Sequence, residues 1–282
     1  MKKILITGAN SYIGTSFEKW VAQWPDKYSV DTVDMIDGTW KEKDFSGYDV
    51  VFHVAGIAHI KETKKNAELY YKVNRDLAYE VAQKAKCDGV KQFIFLSSMS
   101  VYGIENGVIN RNSPLNPKTN YGKSKLQAER LIEPLKDNEF KIAILRPPMI
   151  YGKGCKGNYP RLARLAVKTP VFPKIKNQRS MIYIDNLCEF VRLIIEDCAE
   201  GVFFPQNSEY VCTSEMVRII AEIHGKKVWL TRIFNPLLSL LKFGNVNKVF
   251  GSLTYEKKMT LYKENYCLND LRTSILQTEG RY

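Results

Sequence analysis

The strongest signal for the fold is the stretch Lys3-Ile4-Leu5-Ile6-Thr7-Gly8-Ala9-Asn10-Ser11-Tyr12-Ile13-Gly14. Its apolar first half predicts a buried strand, and the helical spacing of apolar residues over Ile13–Trp24 predicts a helix that Pro25 ends. Gly8 would allow a tight turn between them, and Gly14 would let the helix pack closely on the strand. Such a turn places backbone N–H groups and the positive end of the helix dipole where a pyrophosphate binds. The stretch therefore favours dinucleotide binding over a purely structural turn.

The same alternation continues through the first half of the chain. Further apolar runs predict strands at Ser29–Val33, Asp49–Val54, Lys91–Leu96 and Lys141–Leu145. Helical patterns lie between them, at Ala67–Lys86 and Tyr121–Leu135. Strands that are almost wholly apolar are covered on both faces, as in a parallel sheet between two layers of helices. We therefore expect an α/β fold, a Rossmann-like doubly wound parallel sheet with a smaller C-terminal substrate-binding region.

The composition fits a chain that buries a sizeable core. It has 282 residues, 45% of them hydrophobic and 26% charged, which rules out a disordered chain and allows one large domain or two ordinary ones. The formal net charge of +12 would attract anions. The six cysteines form no C-x-x-C pair, and His53 and His59 favour structural roles, so no metal site is expected. With no signal-peptide pattern and no apolar run of membrane-spanning length, we expect a cytoplasmic protein without a transmembrane segment.

The second predicted strand leads to Asp34, which indicates the kind of dinucleotide. A carboxylate at that place hydrogen-bonds the ribose hydroxyls of NAD. Neither the glycine turn nor the residues just after Asp34 offer an Arg for the 2′-phosphate of NADP, so the sequence favours NAD without excluding NADP. In the turn itself, Ser11 stands where the usual pattern has its middle glycine, which puts a side chain where the phosphate approaches.

A second group of residues points to proton transfer. Tyr121 and Lys125 are four residues apart and therefore lie one above the other on a helix face. A nearby ammonium lowers the pKa of a phenol, and the phenolate can then act as a general base. Ser97 and Ser98 follow a buried predicted strand earlier in the chain, so their hydroxyls emerge at its carboxyl end, where open α/β sheets bind ligands.

In this order, the glycine turn, the serines and the Tyr/Lys pair resemble the extended short-chain dehydrogenase/reductase family, in its nucleotide-sugar epimerase/dehydratase branch. The resemblance covers nearly the whole chain. It is carried further by His53-Val54-Ala55-Gly56, Asn74, Leu145–Gly152 and Asn177–Leu187. It implies an enzyme that binds NAD and acts on a nucleotide sugar. The implied domains are 1–151 with 177–199 for NAD, and 152–176 with 200–282 for the substrate.

The resemblance also implies a role for each matching residue. Tyr121 is the base, Lys125 holds the nicotinamide ribose, and Ser98 hydrogen-bonds the reacting sugar hydroxyl. Arg179 faces the diphosphate of the substrate and Asn158 lies near it, although Asn158 could equally cap a helix. The implied cofactor contacts are Gly8, Asn10, Ser11, Tyr12, Ile13, Gly14, Asp34, Ala55, Asn74, Tyr121 and Lys125.

The sequence departs from the family's pattern at two places, and these departures limit the reactions and the substrate contacts that the resemblance implies. Its 4,6-dehydratases carry acidic residues after the catalytic hydroxyl, and here those places are Met99 and Ser100, so loss of water is not expected. No second Arg lies clearly at the family's other diphosphate contact, for which Lys248, Lys257 and Lys258 are candidate substitutes. We expect a C4-epimerase that acts on a UDP-linked hexose through a 4-keto intermediate. We also expect a homodimer, and no nucleic-acid partner because no nucleic-acid motif is present.

Three alternatives remain open. An NAD(P)H-dependent 4-keto-sugar reductase of surface-polysaccharide synthesis would need the same Ser98, Tyr121 and Lys125, so these residues do not separate it from an epimerase. A non-catalytic dinucleotide sensor on the same fold commonly lacks the Tyr/Lys pair, which this chain keeps. A peripheral membrane protein would use the apolar segment Asn235–Phe243, although packing in a core or an oligomer accounts for that segment better.

Overall fold

The computed structural model describes residues 1–58, 60, 62–233, 235–236, 249–263 and 265–280. His59, Lys248 and most of the segment Asn235–Phe243, which the sequence analysis singled out, lie outside the described residues. The chain divides into two units. The first unit comprises Met1–Gly103, Pro114–Pro147 and Leu187–Pro205, and the second comprises Ile104–Ser113, Pro148–Asn186 and Gln206–Tyr282.

Strands and helices alternate along the described residues. The strands are β1 (Lys2–Thr7), β2 (Tyr28–Val33), β3 (Val50–His53), β4 (Gln92–Leu96), β5 (Gly107–Ile109), β6 (Lys141–Leu145), β7 (Met149–Tyr151), β8 (Val171–Pro173), β9 (Met181–Tyr183), β10 (Gly201–Phe203), β11 (Trp229–Thr231) and β12 (Leu253–Tyr255). The α-helices are α1 (Tyr12–Val21), α2 (Ala67–Tyr71), α3 (Leu77–Cys87), α4 (Asn120–Ile132), α5 (Asn158–Lys168), α6 (Ile184–Glu196), α7 (Thr213–Ile223) and α8 (Leu271–Glu279).

Within the described residues, the first unit contains a parallel sheet of six strands in the order β10-β6-β4-β3-β1-β2. Thr7 at the end of β1 pairs with Val33 of β2 on one side and with His53 of β3 on the other. The chain therefore leaves β1 in one direction to form β2 and crosses back to form β3. Open α/β sheets bind ligands at the carboxyl ends of the strands where this reversal occurs. The predicted Rossmann-like doubly wound fold is confirmed.

The core explains why these segments are strands. Every residue of β3 and β4 is buried, as expected for central strands of a parallel sheet covered on both faces. Phe93 and Val51 lie in one hydrophobic cluster with Ala82 of α3 and Ala128 of α4. Small alanine side chains let the helix backbones approach the sheet closely, so the packing fixes where α3 and α4 lie relative to β4.

The predicted helix Ala67–Lys86 is interrupted in the structure. A π-helical turn at Lys72–Asp76 lies between α2 and α3, and it contains Asn74. Such a turn inserts one residue without disturbing the apolar spacing on either side, so the sequence pattern indicates one continuous helix. The inserted turn changes the direction in which its side chains leave the helix, and π-turns of this kind are frequent at functional sites.

The second unit contains short parallel strand pairs: β7 with β9, β8 with β11, and β5 with β12. β5 lies in Ile104–Ser113, a segment that the sequence analysis placed in the NAD-binding domain and that belongs here to the second unit. It pairs with β12, far along the chain, so no local pattern indicates this contact. In the part of the chain that the structure describes, no helix is both long and apolar enough to cross a bilayer.

Candidate active site

The glycine turn after β1 is closely packed. Gly8 has a φ of +102°, and a methyl group built on it would lie 3.0 Å from the Cα atom of Ala55. A methyl group at Gly14 would lie 2.9 Å from the side chain of Ile6 and 2.7 Å from the Ser11 hydroxyl oxygen. The approaches at Gly14 are shorter than a side chain tolerates, and at Gly8 the close contact adds to a positive φ that side chains rarely adopt, so the path of the chain from β1 into α1 depends on both glycines.

Ser11 has a defined task in this turn. It is the N-cap residue of α1, and its hydroxyl oxygen accepts a hydrogen bond of 3.2 Å from the Gly14 N–H. The preceding residue, Asn10, has a φ of +61°, a left-handed conformation that Asn tolerates better than most residues. The side chain that the sequence analysis placed where a phosphate approaches is therefore a helix cap.

Asp34 lies directly beside the glycine turn. The carbonyl oxygen of Val33 accepts hydrogen bonds from the N–H groups of Gly8 (2.9 Å) and Ala9 (3.1 Å). The Asp34 side chain that follows is exposed, and its Oδ1 accepts a 2.9 Å bond from the Ile36 N–H. A helix N-terminus, a turn with no room for side chains and an exposed carboxylate together fit a dinucleotide.

Asn74 holds the loop after β3 in place. The buried amide accepts a 2.8 Å bond from the Ile57 N–H and donates to the Ile57 carbonyl (3.0 Å) and the Ser124 hydroxyl (3.2 Å). A methyl group at Gly56 would lie 3.0 Å from the Asn74 Oδ1 and 3.3 Å from the Lys125 Nζ. The loop after β3 and the helix α4 therefore meet at Asn74 and Lys125.

The structure brings the three predicted catalytic side chains together at the end of β4. Tyr121, on the first turn of α4, lies close enough to the Ser98 hydroxyl for Ser98 to influence its pKa. One turn later, the Lys125 ammonium donates a 2.8 Å bond to the carbonyl of Leu96 and lies 4.7 Å from the ring centre of Phe95. A phenol, an ammonium and a hydroxyl in this arrangement can move a proton to and from an alcohol.

The pKa values in this group depend mainly on burial. Burial raises the pKa of Tyr121, and the nearby Ser98 hydroxyl acts in the opposite direction. Burial lowers the pKa of Lys125 to about 8, and the negative charge of Glu129 opposes this change. The spacing of Tyr121 and Lys125 predicted a lowered phenol pKa, but burial outweighs the other influences on Tyr121 and the Lys125 ammonium is bonded to Leu96. At neutral pH, Lys125 is still mostly charged.

Ser98 is followed by residues without carboxylates. Its hydroxyl oxygen accepts a 3.1 Å bond from the Ser100 N–H and donates a 3.1 Å bond to the Ser100 hydroxyl. The Met99 N–H donates a 2.9 Å bond to the carbonyl of Pro147. Neither the Met99 nor the Ser100 side chain can act, at neutral pH, as the acid or base that loss of water requires.

Sequence reasoning missed a buried polar cluster beside this group. Glu129 of α4 forms an ion pair of 2.6 Å with Arg146, the residue that follows β6, and accepts a hydrogen bond from Ser97. Burial opposes the charge of Arg146, but the carboxylate outweighs it and raises the pKa of Arg146. The available signal was the position of Glu129, four residues after Lys125 and so on the same helix face.

His53, at the end of β3, is buried between aromatic rings. Its Nδ1 lies 2.7 Å from the hydroxyl oxygen of Thr7, and its ring stacks with those of Phe93 and Phe95 at 5.9 and 6.1 Å. Its Nε2 has no hydrogen-bond partner among the described residues. Burial, together with the nearby charge of Lys125, lowers the pKa of His53 to about 3. The ring is neutral near pH 7, which fits a structural role.

This burial predicts a loss of stability in acid. In the unfolded chain His53 binds a proton near its ordinary pKa of 6.5, while in the folded protein it does so only near 3. Its contribution to stability is therefore present above about pH 6.5 and lost as the pH falls towards 3. Between pH 7 and pH 5, we expect the free energy of unfolding to fall by about 2 kcal/mol more in the wild type than in His53→Asn. Denaturant unfolding at both pH values measures the difference; equal losses would show that His53 is not the group responsible.

Asn158 and Arg179 lie in the second unit. Gly157 is the N-cap residue of α5 and Asn158 its first residue, so Asn158 is not the cap. Both side chains line one small cavity, whose other walls include Met149 and Met181. The Arg179 guanidinium donates a 3.0 Å bond to the carbonyl of Gly251, and burial lowers the pKa of Arg179. An anion in this cavity would stabilise that partly buried positive charge.

Lys257 and Lys258, two of the lysines considered as further diphosphate contacts, lie in a short turn of the second unit. The Lys257 ammonium donates a hydrogen bond to the carbonyl of Ser208 and lies 4.3 Å from the ring centre of Tyr210. Lys258 is exposed. Within the described residues, no group of three or more His, Cys, Asp or Glu side chains could hold a metal ion.

The curated proteins that are similar in sequence include sugar epimerases. The UDP-glucose 4-epimerase of Vibrio cholerae is 30% identical over 92% of this chain and 85% of its own length. The N-acetyl-α-D-glucosaminyl-diphospho-ditrans,octacis-undecaprenol 4-epimerase of Escherichia coli O157:H7 is 30% identical over 70% of this chain and 64% of its own.

Solved structures share the fold at lower identity. The UDP-glucuronic acid 4-epimerase of Bacillus cereus, solved in complex with NAD, superposes with a TM-score of 0.74 at 19% identity, over 98% of this chain and 96% of its own. The dTDP-4-dehydrorhamnose reductase of Clostridium acetobutylicum superposes with a TM-score of 0.66 at 20% identity, over 81% of this chain and 82% of its own.

The family model for the NAD dependent epimerase/dehydratase family matches residues 4–204, which include β1, the glycine turn, Ser98 and the Tyr121/Lys125 pair. The match begins within β1 and ends just after β10, so it spans all six strands of the parallel sheet. Together with the similarity to the Vibrio cholerae enzyme over most of both chains, it shows that this chain belongs to the NAD-dependent epimerase/dehydratase family of enzymes.

Proposed function

We propose that this protein is a nucleotide-sugar 4-epimerase that acts on a UDP-linked hexose through a 4-keto intermediate. The observation that carries the proposal is the placement of Tyr121 beside Ser98 at the carboxyl end of β4, with Lys125 one helical turn further along α4 and bonded to Leu96. The similarity to curated 4-epimerases supports the same reaction. The absence of a carboxylate at Met99 and Ser100 argues against a 4,6-dehydratase.

The cofactor would lie against the residues that end β1, β2 and β3. Gly8 and Gly14 leave room for the pyrophosphate at the N-terminus of α1, Asp34 would accept hydrogen bonds from ribose hydroxyls, and Ala55 lines the turn. Lys125 would donate to the nicotinamide ribose. NAD, when bound, supplies the acceptor and later the donor of the hydride at sugar C4.

The residues of this chain move the proton. Ser98 would hydrogen-bond the 4-hydroxyl of the sugar and hold its oxygen beside Tyr121, which takes the hydroxyl proton as the hydride leaves C4. Burial raises the pKa of Tyr121, and the positive charge of Lys125, on the same face of α4, would act against this effect and in favour of the phenolate that accepts the proton. Tyr121 returns the proton to the oxygen when the hydride is delivered to the opposite face of the 4-keto sugar, which completes the inversion.

Asp34 is expected to select NAD. Replacing Asp34 by Ala removes the carboxylate that would accept from the ribose hydroxyls, so NAD affinity should fall about tenfold or more while NADP affinity changes less. Asp37→Ala is the matched control. Like Asp34, Asp37 is exposed and accepts a hydrogen bond from the backbone N–H two residues later in the chain, here that of Thr39. Titration of NAD and NADP into the wild type and the two variants measures these affinities. A wild type that binds NADP more tightly than NAD would contradict the role of Asp34.

Arg179 is expected to bind the diphosphate of the substrate. A guanidinium donates two parallel bonds to phosphate oxygens and a lysine only a point charge, so Arg179→Lys should weaken UDP binding about tenfold and leave NAD binding unchanged. Arg218→Lys is the control, since Arg218 pairs with Glu215 and Glu222 on α7. Calorimetry with UDP on each variant makes the comparison. Equal affinities of the wild type and Arg179→Lys would remove Arg179 from the binding site.

The reaction itself is tested by incubating the purified protein with UDP-hexoses and no added cofactor. An epimerase keeps its cofactor, so bound NAD should be released on denaturation, and the proton NMR spectrum should show the 4-epimer accumulating to an equilibrium mixture. Consumption of one NADH or NADPH per 4-keto sugar reduced, with no epimer formed, would instead identify the 4-keto-sugar reductase. Dinucleotide binding without turnover of any sugar would identify the non-catalytic sensor.

A further inference from the structure

Three consecutive residues at the end of β4 each meet the helix α4. The Leu96 carbonyl accepts a hydrogen bond from Lys125, the Ser97 hydroxyl donates one to Glu129, and the Ser98 hydroxyl lies beside Tyr121. The three helix residues are four apart, so they lie in one row along the face of α4. Two of these three contacts involve residues of the proposed chemistry. The third, between Ser97 and Glu129, has no part in it.

The carboxylate of Glu129 is fully buried and held by two residues. Arg146 donates to it from Nε (3.1 and 3.2 Å) and from Nη2 (2.6 Å), and the Ser97 hydroxyl also donates to its Oε1. Arg146 is itself fixed by a 3.0 Å bond from Nη1 to the hydroxyl of Tyr102 and by its own N–H, which donates to Phe203. A carboxylate held in this way has one position, so the bonded Ser97 has one position as well.

Stability alone does not account for such a cluster. Removing two charges from water costs several kcal/mol per ion, and apolar side chains of similar volume often stabilise a protein as well as a buried ion pair does. What the pair adds is a fixed hydrogen-bond acceptor and a fixed negative charge. Both lie next to the proposed site, because Ser97 precedes Ser98 and Glu129 follows Lys125 by one helical turn.

We propose that Glu129 is a positioning residue for the reaction: anchored by Arg146, it fixes Ser97, and so the adjacent Ser98, against α4, one helical turn after Lys125. This inference rests on the proposed roles of Ser98, Tyr121 and Lys125. Glu129 itself touches no reacting group. It acts through the two residues beside it.

The charge effect on Lys125 depends on the groups that face it from each neighbouring element. Glu129 and Tyr121 lie on its own helix, and His53 of β3 is neutral near pH 7. Asn74, from the π-turn, and Phe95 of β4 carry no charge. Glu129 is therefore the neighbouring negative charge that opposes the effect of burial on the pKa of Lys125.

The test measures Lys125 directly, with no substrate or cofactor present. Protein labelled with carbon-13 at the lysine ε-carbon is titrated by NMR, and the Lys125 signal is identified by its loss in Lys125→Arg. In the wild type the midpoint is expected near pH 8. In Glu129→Gln it should move to lower pH by about one unit, because the amide removes the charge but keeps an acceptor for Ser97. Turnover should fall about tenfold or more with KM little changed.

Glu189→Gln is the matched control. Glu189 of α6 is also buried and forms a 2.7 Å ion pair with an arginine, Arg192, but it takes no part in the contacts between β4 and α4. In Glu189→Gln we expect a lower free energy of unfolding and no shift of the Lys125 midpoint. If Glu129→Gln fails to fold, the double variant Glu129→Gln with Arg146→Met carries the test, because it removes both charges and leaves no unpaired buried cation.

The outcomes separate this inference from the proposed function. A Lys125 midpoint and turnover in Glu129→Gln equal to the wild type, or turnover in the double variant equal to the wild type, would overturn the positioning role, even if Tyr121→Phe is inactive. Full turnover in Tyr121→Phe would overturn the proposed function, while a shifted midpoint in Glu129→Gln would still establish the coupling of Glu129 to Lys125. A midpoint shift of the same size in Glu189→Gln would show a general effect of losing a buried ion pair and would also overturn the inference.

Discussion

Replacing Tyr121 by Phe is expected to reduce turnover by at least about 100-fold, since a general base contributes that much or more. The ring stays, so the packing of α4 against β4 is preserved. The phenol oxygen, which lies beside Ser98 and would take the proton of the sugar, is lost. Turnover of a UDP-hexose by the wild type and the variant, at saturating substrate, measures the effect, and binding of NAD should change little.

The control for this substitution is Tyr79→Phe. Tyr79 lies on α3, and the Gln83 amide donates to its hydroxyl on an exposed face, so this variant removes a phenol hydroxyl away from the proposed chemistry. Its turnover should equal that of the wild type. A Tyr121→Phe enzyme with turnover within a few-fold of the wild type would remove Tyr121 from its proposed role as the base.

Gly122→Ala is expected to lower both the free energy of unfolding and the turnover, although alanine is usually the better residue in a helix. In a helix interior, replacing glycine by alanine generally stabilises the helix by about 1 kcal/mol. Here the new methyl group would lie 2.6 Å from the carbonyl oxygen of Ser100 and 3.0 Å from the Pro117 side chain. Overpacking of this kind costs about 1–3 kcal/mol, and the first turn of α4 must move to relieve it.

That movement would displace Tyr121, the neighbour of Gly122, from Ser98. A misplacement of about 1 Å can cost on the order of 100-fold in rate, so we expect a loss of turnover that approaches that of Tyr121→Phe. Gly47→Ala is the control, because a methyl group there meets open space. Denaturant unfolding and turnover of both variants make the comparison, and a Gly122→Ala enzyme as stable and active as the wild type would contradict the contact with Ser100.

The parts of the fold that the sequence predicted are those whose signal is local. The strands β1, β4 and β6 are short apolar runs, and the structure has them within one or two residues of the predicted bounds. The glycine turn is contiguous with β1, so its geometry follows from neighbouring residues. Tyr121 and Lys125 were paired because a helix repeats about every four residues, and Ser98 was placed at the ligand-binding edge of the sheet because it directly follows a buried strand.

What the sequence did not predict depends on contacts between distant residues. Arg146 and Glu129 are 17 positions apart and come from different elements, and no spacing indicates that they form a buried pair. β5 finds its partner in β12, so the segment around it belongs to the second unit. The phenol pKa was also misjudged, because the proximity of Lys125 is visible in the sequence and the burial of Tyr121 is not.

The most direct measurement follows the hydrogen at sugar C4. The enzyme, with no added cofactor, is given UDP-hexoses that carry deuterium at C4, and the products are analysed by NMR and mass spectrometry. If hydride leaves C4 and returns to the opposite face within one turnover, the 4-epimer should form with the deuterium still at C4. An epimer that has lost its deuterium to solvent, or a protein that forms no epimer while it reduces 4-keto sugars with added NADH, would contradict the proposed reaction.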